Sequence, residues 1–144
     1  MYCIFFKLHV VFVFQYLVTA AKDGSIKVWD DKGNIKIIFV GHLKAVNTLA
    51  VYPFGTYIMS GSSDCTMRIW SLDTADEVDR ISTEEAVLGL GTTVGKNDLY
   101  SFGRRSIEFW RIEHIHSVFA TVGWVDTNIK FTFTKTIHFG KVSK

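Results

Sequence analysis

The chain has 144 residues, 48% of them hydrophobic, and a formal net charge of +2. That is enough chain and enough apolar content to bury a core, which excludes a disordered polymer. The charge is too small, and Lys and Arg too scattered, to indicate nucleic-acid binding, and Cys3 and Cys65 have neither metal-ligand nor disulfide-framework spacing.

Residues 1–14 are apolar, and 10–14 are read as a strand. A secretory leader or membrane span competes for this segment, but Lys7 interrupts it, no basic stretch precedes it, and it is shorter than the about 20 apolar residues a span needs. Over 16–29, Ile26 and Val28 alternate with Ser25, Lys27 and Trp29, the period-two pattern of a strand. Asp23-Gly24 supplies the hairpin turn, because glycine accepts positive φ without steric cost. Residues 36–40 predict an outer strand, 45–51 the next inner one, and Pro53 to Gly55 a turn. Residues 57–70 then repeat the hairpin without a gap, with Met67 and Ile69 alternating against Thr66, Arg68 and Trp70, and 77–81 supply another outer strand. The third hairpin is one residue shorter: Gly103-Arg104-Arg105 fills its turn, nothing matches Asp64, and Ser82-Thr83 stands where Gly41-His42 did. His114 and His116 share one face of an expected outer strand, and two imidazoles alone make a poor metal site. Gly95-Lys96 lacks the glycine-rich approach of a phosphate loop. Residues 128–135 alternate with Ile129, Phe131 and Phe133 on one face, and are either an amphipathic strand or a tail in which the pattern has ended.

Trp29, Trp70 and Trp110 close equivalent strands at intervals of 41 and 40 residues. Four short strands in a period of roughly 40–45 residues make one blade of a propeller. At Gly41-His42, Ser60, Asp64 and Trp70, and at Thr19, Asp23, Trp29 and Asp30 in the preceding unit, the chain resembles the WD40-repeat family. Only Trp29-Asp30 keeps the dipeptide that names the family; Ser71 and Arg111 follow the other two tryptophans. The resemblance implies an all-β fold of antiparallel four-stranded blades, about three of them, in an incomplete ring. It covers 16–122, in units of about 16–40, 41–81 and 82–122, between an atypical apolar segment at 1–15 and an atypical strand or tail at 123–144. Because propellers close with about 4–8 blades, the expectation is a truncated or alternatively spliced part of a longer protein, with oligomeric completion and an open stack as the alternatives. The central segment also resembles large cilium-associated WD-repeat proteins, which implies an intracellular, cytoskeletal or ciliary setting.

His42, Ser60 and Asp64 are also the parts of a nucleophilic triad. The family resemblance gives them a structural role instead. It implies a hydrogen-bonded tetrad of His42, Ser60, Asp64 and Trp70, with Thr19, Asp23 and Trp29 as the counterparts in the first unit. No Gly-x-Ser-x-Gly elbow surrounds Ser60, which also argues against hydrolysis. The leading expectation is a non-catalytic scaffold for other proteins, with no cofactor, metal, nucleic-acid or membrane partner. Self-association through unclosed blade edges is a further expectation. Lys27, Arg68, Arg104, Arg105, Tyr52 and Phe54 are the candidate contact residues, each with an alternative as an ordinary exposed charge or a packing ring.

Overall fold

In the computed structural model, which describes residues 9–13, 15–52, 57–93, 98–116 and 127–139, every element among the described residues is a β-strand. Cys3, Lys7, the Pro53 to Gly55 turn with Phe54, and Gly95-Lys96 lie outside the described residues, as do the side chains of His114, His116, Ile129 and Phe131. The first antiparallel sheet is β1 (His9–Val13), β2 (Tyr16–Ala20), β3 (Ile26–Trp29) and β4 (Ile35–Phe39), in that order. The second is β5 (Val46–Val51), β6 (Tyr57–Ser62), β7 (Thr66–Ser71) and β8 (Glu77–Ser82). The third is β9 (Gly89–Thr92), β10 (Asp98–Phe102), β11 (Ser106–His116) and β12 (Thr127–His138). These are three blades of an open propeller.

At both ends the sheets depart from the expected units. β1 comes from the apolar segment set apart at 1–15 and pairs along its whole length with β2, so His9–Val13 of that segment form the inner strand of the first blade. In the third blade, β11 runs straight through His114 and His116, and the outer strand is β12, beyond the expected limit at 122. The cause is local. After Trp29, the Asp30 carboxylate accepts from the Lys32 and Asn34 N–H groups and closes the turn into β4. After Trp70, the Ser71 hydroxyl accepts from Thr74 N–H and does the same. Such short polar side chains favour turns by capping backbone donors locally. Arg111 has no acceptor to offer, pairs with Asp98 at 3.3 Å, and the strand continues.

Alternation decides which face each residue covers. In the first blade Val18, Ala20, Ile26 and Val28 are fully buried toward the second, while Leu17, Thr19, Lys27 and Trp29 on the opposite face are half-exposed. The second blade is buried on both faces. Ile58 and Trp70 join the cluster shared with the first blade, and Met59, Met67 and Ile69 join Val87, Leu99 and Trp110 of the third. Burying each such side chain contributes about 1.5–3 kcal/mol. The repeat extends to the backbone: Val46 N–H donates to Ala21 O at 3.1 Å, and Val87 N–H to Ser62 O at 3.0 Å, one copy later. A bulge also recurs where each outer strand passes the tryptophan, between Val28/Trp29, Ile69/Trp70 and Phe109/Trp110.

Gly24, at φ +87°, sits where an added Cβ would lie 2.6 Å from the His42 carbonyl oxygen, whereas Gly33, at φ +81°, has open space around it. Alanine at Gly33 is expected to cost only the left-handed backbone penalty of about 1–2 kcal/mol. Gly24→Ala is expected to cost clearly more, because backbone of the adjoining blade has to move. Urea denaturation of the two variants checks the difference; equal losses contradict the close approach.

Candidate functional site

The loop from β4 into β5 carries Gly41-His42 over the end of the second blade, and the β6–β7 hairpin carries Ser60, Asp64 and Trp70 beneath it. Four hydrogen-bonding side chains meet there in one line. Trp70 Nε1–H donates to Ser60 Oγ at 2.8 Å, and Ser60 Oγ lies 2.7 Å from His42 Nε2. His42 Nδ1 lies 2.9 Å from Asp64 Oδ2, which also accepts from Leu43 N–H at 3.0 Å. The other carboxylate oxygen accepts from Thr66 N–H at 3.0 Å and from the Thr66 hydroxyl at 2.6 Å. Indole can only donate, so the serine O–H donates to Nε2, and Nδ1 carries the proton that is donated to aspartate. One arrangement of protons satisfies every bond.

Burial supports that assignment. It pushes the His42 imidazole below its ordinary value, more than the Asp64 contact raises it, so the ring is neutral. Burial pushes the Asp64 carboxyl up, but hydrogen bonds from Thr66, the Leu43 N–H and His42 outweigh it and hold it at about 2. Arg68 adds a positive charge beneath the loop, 2.7 Å from Glu77 and 4.0 Å from Asp64. A Cβ at Gly41 would meet the Arg68 guanidinium and lie 3.1 Å from the Trp70 ring, which is why this loop needs glycine.

The contacts among Asp64, His42 and Ser60 follow the connectivity of a nucleophilic triad. Its oxygen is nonetheless unavailable. Ser60 has no solvent exposure, its hydroxyl proton faces histidine, and the indole N–H occupies the oxygen. A nucleophile needs a lone pair that an incoming carbonyl carbon can reach; the indole takes one lone pair of this oxygen, and complete burial closes the approach to the other.

The other copies keep less. In the first blade Trp29 Nε1–H donates to Thr19 Oγ1 at 2.9 Å, half-exposed, while Asp23 is turned onto its own hairpin, accepting from the Ser25 N–H and hydroxyl. In the third, Trp110 Nε1 is buried without a partner among the described residues, although Ser101 holds the position of Ser60, and Thr83, aligned with His42, donates to the Glu85 carbonyl. Two residues that sequence reasoning passed over do the tying instead. Glu85 reaches from the loop onto the β10–β11 turn and accepts from the N–H groups of Arg104, Arg105 and Ser106 and from the Ser106 hydroxyl. Burial pushes its carboxyl up, but these donors together outweigh it and hold the group below its ordinary value. Glu108, at the register position of Arg68, accepts from Glu84 N–H, and burial raises its carboxyl. The sequence signal was an acidic pair, Glu84-Glu85, following the displaced loop motif.

Of the candidate contact residues, Arg104 and Arg105 are exposed and Lys27 is half-exposed. Arg68 and Tyr52 are corrected to interior positions. Arg68 is 5% exposed and ion-paired; Tyr52 is 3% exposed and packs edge-on to Tyr57, because the second blade is covered on both faces. Among the described residues, no group of three or more His, Cys, Asp or Glu side chains is placed to hold a metal ion.

A family model described as "WD domain, G-beta repeat" matches residues 6–30 and 33–71. WD repeat-containing protein 97 of Homo sapiens is 31% identical over 120 residues, 74% of this chain and 7% of that protein. Striatin-3 of Homo sapiens is 44% identical over 72 residues, 49% of this chain and 9% of that protein. The chain therefore spans less than a tenth of the length of either relative. Among solved structures, that of the RRP9 WD40 repeats matches with a TM-score of 0.68 at 25% identity, covering 74% of this chain and 36% of the other. The structure of U3-55K matches with a TM-score of 0.73 at 23% identity, covering 95% and 41%, a likeness of fold alone.

Ser60→Ala leaves the buried Trp70 N–H and His42 Nε2 unsatisfied and is expected to cost about 1–3 kcal/mol for each orphaned group. Thr19→Val, at a site water can reach, is expected to cost about 1 kcal/mol or less. Equal shifts in chemical denaturation contradict the difference in burial. The pH dependence has a sign. His42 is held neutral and Asp64 charged, so the stability each adds is present above its ordinary value, 6.5 or 3.8, and is lost as pH falls below it. Glu108, with its carboxyl raised, works in the opposite direction. The urea midpoint is expected to drop between about pH 7 and about pH 5, and His42→Gln to flatten that drop; an unchanged slope refutes the assignment.

Proposed function

This chain belongs to the WD40-repeat family, and on that premise we propose that it is a non-catalytic scaffold on which other proteins assemble. The single observation that carries the reading is the fully buried Ser60 hydroxyl, which donates to His42 and accepts from Trp70. The most reactive-looking constellation in the molecule is buried and hydrogen-bonded throughout, and it holds a loop onto a hairpin. That network belongs to a frame whose hairpin turns carry different side chains in each copy, Lys22-Asp23-Gly24, Ser63-Asp64-Cys65 and Gly103-Arg104-Arg105, with Lys22, Asp23, Arg104 and Arg105 exposed. A rigid scaffold presenting variable loops is the usual arrangement for recognition. Among the described residues no helix is long and apolar enough to cross a membrane.

Two measurements on the tagged chain test this. A fluorophosphonate probe is expected to leave the protein unlabelled; labelling at Ser60 that vanishes in Ser60→Ala overturns the non-catalytic reading. Affinity capture is expected to return at least one stoichiometric protein, with the chain in the cytoplasm or on cytoskeletal or ciliary structures. Capture of none, under conditions where the protein is folded, counts against the scaffold.

A further inference from the structure

The same hairpin turn is built in two ways in this molecule. In the first and second blades the turn carries its own carboxylate: Asp23 accepts from Ser25, and Asp64 from Thr66 and from the loop above. In the third blade the carboxylate comes from outside the turn, as Glu85, and both of its oxygens are engaged by the four donors of residues 104–106. Moving the cap onto the loop frees two turn positions, and both are arginine.

Those arginines are fixed at the backbone and unengaged at the side chain. Three N–H bonds to Glu85 hold the turn, and Phe139 N–H donates to Arg105 O at 2.7 Å, tying it to the end of β12. Neither guanidinium makes an ion pair among the described residues, and both side chains are exposed. Together with Glu84, Glu85, Ser106 and His138 they line an open cavity of about 380 Å³. The two carboxylates there do not pair with the guanidinium groups: both Glu85 oxygens are taken up by the turn's own N–H and hydroxyl donors, and Glu84 is exposed with no ion pair to either arginine among the described residues. Guanidinium groups recognise carboxylate and phosphate through paired N–H donors, and anchoring their backbone lowers the ordering cost of doing so.

We propose that the Arg104–Arg105 turn is a docking point for an anionic side chain, carboxylate or phosphate, presented by an extended segment of a partner protein. A protein segment fits better than nucleic acid or a membrane surface. The positive charge is confined to one cavity beside Glu84, in a chain of net charge +2, with no basic stripe to follow a polyanion. This inference rests on the scaffold reading and deepens it.

The test is fluorescence anisotropy of the full chain with short fluorescein-labelled Gly/Ser peptides carrying adjacent glutamates, adjacent phosphoserines or only neutral serines. At least one anionic peptide is expected to bind and the neutral one not, and the tighter of the two anions assigns the chemistry. The double substitution Arg104→Ala with Arg105→Ala is expected to weaken binding about tenfold or more, the loss of one charge-assisted bond, with an unchanged melting curve. Arg80→Ala, removing an exposed arginine of β8, is expected to leave affinity unchanged, and Glu84→Gln to tighten it. Equal affinity in the double variant overturns the proposal, as does absence of saturable binding by the parent chain, or binding of anionic phosphatidylserine vesicles without binding of either peptide. Partner capture that survives the double substitution removes this docking point and leaves the scaffold standing.

Discussion

A single hydroxyl oxygen, that of Ser60, holds the second blade in its shape. It accepts a hydrogen bond from the indole while its own O–H donates one to the imidazole, and so joins the β6–β7 hairpin to the loop that arrives from the first blade. The loop has few ways to be held there otherwise, because it must turn over a buried arginine and an indole with only Gly41 between. Low polarity around the chain strengthens each link and makes a missing one costly. The adjoining backbone bond between Val46 and Ala21 has a fixed partner only while the loop stays down.

The three copies show how a repeated fold tolerates loss of its polar frame. The first keeps one bond at a surface where water can substitute. The third has lost the line altogether, with a buried Trp110 N–H left over, and gains Glu85 and Glu108 as cross-links from new positions. Packing compensates: Trp110 sits in the cluster with Met59, Met67 and Leu99, and its ring meets Phe133 edge-on at 5.2 Å. Hydrophobic contact is non-directional, so it survives a rearranged network that specific hydrogen bonds do not.

Period-two alternation in both units and the Asp23-Gly24 turn in the first made their hairpins legible, because these are local patterns, and the 41-residue tryptophan interval joined the two as copies; in the second, Cys65 takes the positive φ that Gly24 takes in the first. The tetrad of the second blade was legible only through the family resemblance, since residues 18 and 22 positions apart meet through folding alone. The third blade was read only in part. Nothing in Arg111 announces that the turn after Trp110 is missing; that needs the knowledge that Asp30 and Ser71 are turn caps, which appears once their hydrogen bonds are seen. Arg68 looked like a surface charge because it repeats the position of Lys27, and it is buried because it shares the face of Trp70, which the first blade covers. Burial of that kind belongs to the assembly of sheets, and no single strand encodes it.

The recurring bulge has a bearing on how this molecule meets others like it. In each blade the outermost strand carries one residue too many beside the tryptophan, so Lys36, Val78 and Thr134 have no opposite number. An extra residue breaks the ladder, bends the strand and tightens its twist. Cross-β growth requires a straight border on which a second backbone zips in register over several residues. The rims of the first two blades are crimped within strands of five and six residues and deny it that run, whereas β12 keeps the seven residues Thr127–Phe133 in unbroken register and is the one rim long enough to accept a second backbone.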